Sequence, residues 1–447
     1  MTASGPLGDA AEGEVPELGL LDNTVNIAYV FGKVLRRTGV RAALIEGAAA
    51  PFNQRPMWED LDLAAPTAEV VARSPSDEYW RRQERRLGWI APLWIVRPRR
   101  RPFADTALLA RLLPRLAHAM PAALVPFGVA IAAQSAPVIR ATAAQRFVLV
   151  QGPSAGLAYL AGRPYAVMTT GWDIRTLPFM TGARNPVHRA RAHLQRAALA
   201  HARRVLATLP AHDLQYIERL GLGGNTTIFP VPVDVDGYAA VPAGTFAAVY
   251  GEELAARARG KLVILSPSRV EFEIKGTDLL LRAFPRALER DPAQLLIVLA
   301  WGRDVERAIE LARSLGIAEQ VAFVREVMSK VRLVRAFRHA DVVADQFVLT
   351  AYGSLARDAL ACGRPVISAY EPRDPQPHPS HDPAPIVSAR TVDEIVSGLA
   401  ALGDAGARER IGAAGLAWIR RTHLDAPLRQ LAAIRESRGP AASGSLA

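Results

Sequence analysis

Between about residue 260 and residue 370, apolar runs of four to six residues alternate with segments of helical period, and this alternation leaves few folds open. The run 261–268 (KLVILSPS) reads as a strand and 277–290 (TDLLLRAFPRALER) as an amphipathic helix. A strand at 294–300 and a helix at 305–315 follow, then strands at 320–324 and 341–345 around a basic helix at 329–338. A helix at 354–361 and a strand at 365–369 complete the series. Short apolar runs bounded by turn residues and separated by helices are the pattern of a parallel sheet covered on both faces. The N-terminal half repeats it less regularly. Its helices are expected at 24–38 and 186–203, and its strands at 41–46, 147–151, 164–170, 204–209 and 226–231.

With 447 residues, the chain is too long for one core. The Pro/Gly-rich stretch 230–244 marks the junction of two doubly wound α/β domains. The expected division is an N-terminal domain over 1–235, a linker over 236–257 and a C-terminal domain over 258–424. A helix over 425–437 then returns to the first domain, and a disordered tail covers 438–447. Ligands of such sheets bind beyond the carboxyl ends of the strands, so a cleft between two facing sheet edges is the expected site.

The formal charge of +11 admits nucleic acid, an anionic membrane or a phosphate-bearing substrate as partner. Cys362 is the only cysteine, which excludes an intramolecular disulfide. The first residues are acidic and Gly/Pro-rich, without the basic and apolar regions of a signal peptide, so a cytoplasmic protein is expected. The uncharged stretch 116–131 and its continuation to 139 is long enough to span a bilayer. Its prolines and alanines favour a buried helix and strand instead.

Two segments carry chemistry. In the first (266–278), a strand gives way to a loop with Arg269 and Lys275, and a helix opens at Gly276 and Thr277. Cations placed there can meet a diphosphate that also feels the helix N-terminus, although surface cations are the plainer alternative. In the second (345–367), a strand ends at Asp345 and the loop turns at Gly353. The next helix carries Asp358, and Gly363-Arg364-Pro365 leads into a strand. Gly353 allows close backbone approach to a ligand. Asp358 reads either as an acceptor for a ribose diol or as a partner of the helix dipole.

These two segments, about seventy-five residues apart, resemble the retaining glycosyltransferases of family 4, which have the GT-B fold. The resemblance covers most of the chain and is most specific between about 260 and 370. It implies contact of Arg269 and Lys275 with a donor diphosphate, and a donor site that includes Gly276, Thr350, Tyr352, Gly353, Ser354 and Asp358. The family's two glutamates, eight positions apart, are replaced by Thr350 and Asp358, whereas the following Ala359-Leu360-Ala361-Cys362-Gly363-Arg364-Pro365-Val366 is intact. A bacterial branch with Asp-Gln before the loop and Tyr-Gly inside it is similar to Asp345-Gln346 and Tyr352-Gly353. In the N-terminal half, 22–26 (DNTVN) resembles the segment opening the acceptor domain. The segment 163–175 resembles a strand ending in Gly-x-Asp-Ile-Arg at the cleft edge. Asn26, Gly171, Asp173 and Arg175 are thereby implied at the acceptor side, with a structural Asp173–Arg175 ion pair as the alternative.

The segment 80–101 combines Trp80, Trp89 and Trp94 with two arginine clusters. It reads either as an interfacial contact with anionic lipid, at the inner face of the membrane, or as a basic helix leading into a core strand. No recognised nucleic-acid motif accompanies the charge. The histidines form no metal-binding motif, and His378 and His381 sit in a Pro-rich loop. The resemblance implies transfer of a sugar from a nucleoside-diphosphate donor to a hydroxyl of a glycan, lipid-linked or small-molecule acceptor, with retention and with no metal or other cofactor. A chain that keeps the fold and binds a nucleotide sugar, a glycan or a partner subunit without turnover is the competing reading.

Overall fold

The computed structural model describes residues 16–46, 52–71, 77–98, 106–372 and 382–437; His378, His381 and the tail after 437 lie outside them. Strands β1 (Leu18–Leu21), β2 (Ala42–Ile45), β3 (Ala64–Pro66), β4 (Ile95–Val96), β5 (Phe147–Gln151), β6 (Tyr165–Met168), β7 (Arg204–Ala207) and β8 (Thr226–Ile228) occupy the first half. The second half contains β9 (Leu262–Ser266), β10 (Gln294–Leu299), β11 (Val321–Val324), β12 (Glu326–Met328), β13 (Val342–Ala344), β14 (Val366–Ser368) and β15 (Val387–Ser388). Seven strands form one parallel sheet in the order β4-β2-β1-β5-β6-β7-β8, and six form the other in the order β11-β10-β9-β13-β14-β15. Both are doubly wound, and in each the order reverses beside the first strand, between β1 and β5 and between β9 and β13. Loops leaving those strands at their carboxyl ends diverge there and open a crevice.

The central strands are almost wholly apolar because helices cover both faces; β5 and β10 are buried throughout, each with a single glutamine at one end. The amphipathic helix Thr277–Arg290 turns Leu280, Leu281, Phe284 and Ala287 into this core. Residues 236–257 hold three short helices rather than extended chain. The last helix, Ala426–Glu436, returns to the first half, where Arg435 pairs with Glu17 at 3.1 Å and its carbonyl accepts from Arg203 Nη1 at 2.9 Å.

One expectation needs correction, and for the 80–101 segment the tryptophans follow the second of the two readings, a basic helix leading into a strand. The stretch 116–139 contains no strand. It belongs to the helices Thr106–Ala119, Val125–Gln134 and Ala136–Ala143, joined by a 3₁₀ turn, because Pro126 and Pro137 occupy helix starts, where a missing N–H costs nothing. The pair after Pro121 bends by 72°, and no single helix among the described residues is long and apolar enough to cross a membrane. The tryptophans of the 80–101 segment are core residues. Trp80 and Trp89 are buried with Phe52, Met57, Trp58 and Val327, and Trp94 stacks on Tyr29 with ring centroids 5.3 Å apart. Trp89 Nε1 donates to Asp60 at 2.9 Å.

These tryptophans anchor an arm, described over residues 52–71 and 77–94, that follows β2 in the chain and reaches the second domain. Its strand β3 pairs antiparallel with β12, matching Ala64, Ala65 and Pro66 to Met328, Val327 and Glu326. Ser329 Oγ donates to Leu61 O at 2.6 Å and accepts from Leu63 N at 2.9 Å, and Asp62 pairs with Arg335. Because β3 follows the carboxyl end of β2 and β12 follows that of β11, the arm brings the carboxyl edges of the two sheets face to face.

Candidate active site

Beyond the carboxyl end of β9, the loop 267–276 carries both expected cations. Arg269 is half-exposed, pairs with Glu271 at 3.0 Å and lies over the Trp301 ring. Lys275 Nζ donates to Gln346 Oε1 at 2.5 Å, and the Lys275 carbonyl accepts from Phe347 N at 2.7 Å. The loops after β9 and β13 are thereby stitched together at the switch point of the sheet. Gly276 has φ +69°, and a Cβ there would press on Phe347 at 3.0 Å, so glycine is required for both backbone and space. Burial and the neighbouring Arg269 charge lower the Lys275 pKa, while Asp345 and Glu271 oppose the shift.

Asp345 directly follows β13, is buried, and accepts a short hydrogen bond from Ser268 Oγ. Burial raises its pKa against the pull of Ser268, Lys275 and the amides of Gly353 and Ala356. Those amides belong to the N-terminus of the helix Ser354–Ala361, whose first residue is exposed. The close approach that Gly353 permits is to this carboxylate: an added Cβ would lie 3.0 Å from Asp345 Oδ2. Thr350 lies on the intervening loop, which Gln346 Nε2 fastens by donating to the carbonyls of Leu349 and Ala351. Gln346 thus uses both ends of its amide, one on Lys275 and one on the loop. Its place directly after a strand end was the available signal of this role, and no position had been assigned to it.

Two residues implied at the donor site are turned elsewhere. Tyr352 donates to His423 Nε2 at 3.1 Å. His423 Nδ1 faces the Val231 carbonyl at 2.7 Å, so it carries the proton and leaves Nε2 as acceptor. The Tyr352 ring packs edge-on to Tyr370, Trp418 and His423, fixing the loop to the crossing between domains. Asp358 is buried and accepts from Tyr238 OH at 2.8 Å and from Lys330. The helix turn that was expected to aim it at a ribose instead aims it at the linker and at the helix Lys330–His339.

The acceptor-side expectations change as well. Asn26 is fully buried: its Nδ2 donates to Asn53 O and Glu59 Oε1, both at 3.2 Å, and its Oδ1 accepts from Asn23. It shapes the 22–26 loop from beneath, where Asp22, Val25 and Asn26 all have left-handed backbones (φ 70°, 46° and 60°). Val25, at the tip, is 55% exposed. Asp173 is buried and caps its own turn, accepting from Thr170 N at 2.8 Å and from Thr170 Oγ at 2.9 Å; burial pushes its pKa up to about 6. Arg175 pairs with Asp213 at 2.9 Å rather than with Asp173. Beside them Trp172, which follows the positive-φ Gly171, is 50% exposed.

A buried polar bridge joins the two sides. Glu59 of the arm meets Asn26 below the first sheet edge and feels Lys330 and Asp358 from the second. Burial raises the Glu59 pKa and Lys330 opposes. Burial alone would lower the Lys330 pKa, but the Asp358 and Glu59 carboxylates outweigh it and hold the ammonium charged. Among the described residues, no group of three or more His, Cys, Asp or Glu side chains could hold a metal ion.

A corner with two cations beside a helix N-terminus, at the switch point of one of two facing doubly wound sheets, can be compared with known proteins. Residues 254–373 match the family model of glycosyl transferases, group 1. D-inositol 3-phosphate glycosyltransferases are similar in sequence. That of Nocardia farcinica is 32% identical over 39% of this chain and 39% of its own length, and that of Corynebacterium diphtheriae 40% identical over 22% and 24%. The chain thus spans less than half the length of these curated relatives. Among solved structures, Anabaena HepE in complex with UDP and glucose covers 94% of this chain and 98% of its own, with TM-score 0.55 and 14% identity. Sucrose-phosphate synthase from Thermosynechococcus elongatus covers 93% and 97%, with TM-score 0.52 and 16% identity. The two facing parallel-sheet domains and these neighbours make the fold GT-B. The group 1 glycosyltransferase match falls on the half that carries Arg269 and Lys275.

Proposed function

We propose that this chain transfers a sugar from a nucleoside-diphosphate donor to an acceptor hydroxyl, with retention of configuration. The observation that carries the reading is Lys275, bonded through Gln346 to the loop that precedes the helix Ser354–Ala361, with the Arg269 charge beside it. As the bond to the sugar breaks, negative charge grows on the departing diphosphate. Fixed cations beside a helix N-terminus in a partly dry corner stabilise that charge more than they stabilise the bound donor. The nucleotide lies on the second domain, with Gly276, Thr350, Gly353 and Ser354 as its rim, and the acceptor enters from the side of Val25 and Trp172. In the related Anabaena structure the bound nucleotide is UDP, which makes UDP-sugars the first donors to test. No metal is assigned a role in the departure of the diphosphate.

A screen of UDP-, GDP-, ADP- and dTDP-sugars by thermal shift, followed by assay of nucleotide release, tests the reading, because a bound donor raises the unfolding midpoint. If no sugar nucleotide shifts the midpoint, the reading fails. The closure of Asp358 onto Lys330 and Tyr238, together with Thr350 in place of a carboxylate, favours a second reading: a binder of nucleotide sugars without turnover. A midpoint shift with no nucleotide release, with or without acceptors, would select it.

A further inference from the structure

The arm presents a surface that the sugar-transfer reading does not use. Ile90 and Leu93 are each 88% exposed, far beyond any other large apolar side chain among the described residues, the next being Val25 at 55%. They stand on a short loop between two fixed points, buried Trp89 bonded to Asp60 and Trp94 stacked on Tyr29. Pro92 lies between them, and its carbonyl accepts from Ile95 N at 3.0 Å. The loop is therefore held with its two aliphatic side chains outward.

The helix Asp77–Arg86 leads directly into this loop. Its inner face buries Trp80 and Glu84, one turn apart, with Glu84 gripping Arg97 at 2.7 Å. Its outer face exposes Arg81, Arg82, Arg85 and Arg86, two pairs also one turn apart. Among the described residues, Arg82 and Arg86 have only long ion-pair contacts, with Glu78 and Glu69 at 3.8 and 3.6 Å. Arg81 and Arg85 form no ion pair among the described residues.

From this juxtaposition we propose that the 90–93 loop and the arginine face of the 77–86 helix form one docking surface for an anionic lipid bilayer. Ile90 and Leu93 enter the boundary between headgroups and acyl chains, and the arginines meet the headgroup phosphates. Cations beside apolar tips complement a bilayer, whose surface is negative and whose interior takes up aliphatic side chains. A nucleic acid would satisfy the arginines and leave Ile90 and Leu93 in water. The surface is independent of the donor site, so its success or failure does not bear on sugar transfer.

The test is sedimentation of the full chain with vesicles of phosphatidylcholine alone, or of an equal mixture of phosphatidylcholine and phosphatidylglycerol, with duplex DNA as a parallel arm. The protein is expected to pellet with the anionic vesicles, and less as salt rises. Ile90→Ser with Leu93→Ser should lower the partition constant about 100-fold, and Arg81→Gln with Arg85→Gln roughly 30-fold. Neither pair should move the unfolding midpoint, because all four side chains are exposed. Wild-type protein left in the supernatant of anionic vesicles, undiminished binding in the Ile90/Leu93 variant, or tighter binding to DNA than to vesicles would each overturn the proposal.

Discussion

Lys330 and Asp358 form an ion pair whose side chains are 21% and 6% exposed, one on the helix that follows β12 and the other on the helix that follows β13. Tyr238, from the linker, completes it. A residue that the family motif implies at a ribose is here the hub of a structural contact.

Removing the carboxylate strands a buried cation. Asp358→Ala is expected to destabilise the protein by about 3 kcal/mol or more, and Tyr238→Phe by about 1 kcal/mol. Denaturant unfolding measures both. If Asp358→Ala leaves stability unchanged and weakens only donor binding, Asp358 is a ribose contact after all.

Lys275 sits where its charge acts on the departing diphosphate. Lys275→Ala should lower turnover about 100-fold, near 3 kcal/mol of transition-state stabilisation. Since burial and Arg269 lower the Lys275 pKa, its charge, and activity with it, is lost at a lower pH than for an ordinary lysine. Lys275→Arg, which keeps its charge, should move that alkaline limb upward in a pH–rate profile. A limb that stays in place in Lys275→Arg would assign it to another group.

Val25 is a β-branched residue at φ 46°, a conformation that costs a residue of this kind about 1–2 kcal/mol. Asparagine tolerates that backbone, so Val25→Asn should stabilise the protein by about 1 kcal/mol in thermal unfolding. The same variant should weaken acceptor use if the exposed Val25 side chain meets the acceptor. A drop in stability would mean that the loop 22–26 is not held as described.

Asp173 holds its proton more tightly in the folded chain, with a pKa of about 6 against an ordinary 3.8, a difference of about 3 kcal/mol. That contribution is fully present below pH 3.8 and is lost as pH rises through about 6. Asp173→Asn should therefore flatten the stability profile over this window, with pH-dependent denaturant midpoints as the measurement. An unchanged profile would mean that Asp173 titrates as an ordinary aspartate.

The sheets were legible in the sequence because strands buried on both faces are written as unbroken apolar runs such as 295–300. Strands β3 and β12 were not, because each has only three residues and owes its existence to a partner in the other half of the chain. Arg269 and Lys275 stood out through their placement after a strand and before a helix. Asn26, Tyr352 and Asp358 were named on their loops and helix, but their bonds to Glu59, His423 and Tyr238 were not legible, since spacing places a residue on an element and only packing decides which side it faces. Trp80 and Trp89 illustrate the same limit: a tryptophan beside arginines suits an interface and a core equally well until its neighbours are known.

The pairing of β3 with β12 bears on how this protein can be divided. Each strand is an edge, and each covers the unpaired backbone of the other. A fragment ending at the linker would bare β3, and one starting there would bare β12, so both halves would be prone to self-association when expressed alone. In the whole chain the same pairing offers a route to exchanged dimers, in which the arm of one molecule seats on the second domain of another. A dimer of this kind, if it forms at high concentration, would keep every contact described for the monomer and double the number of clefts.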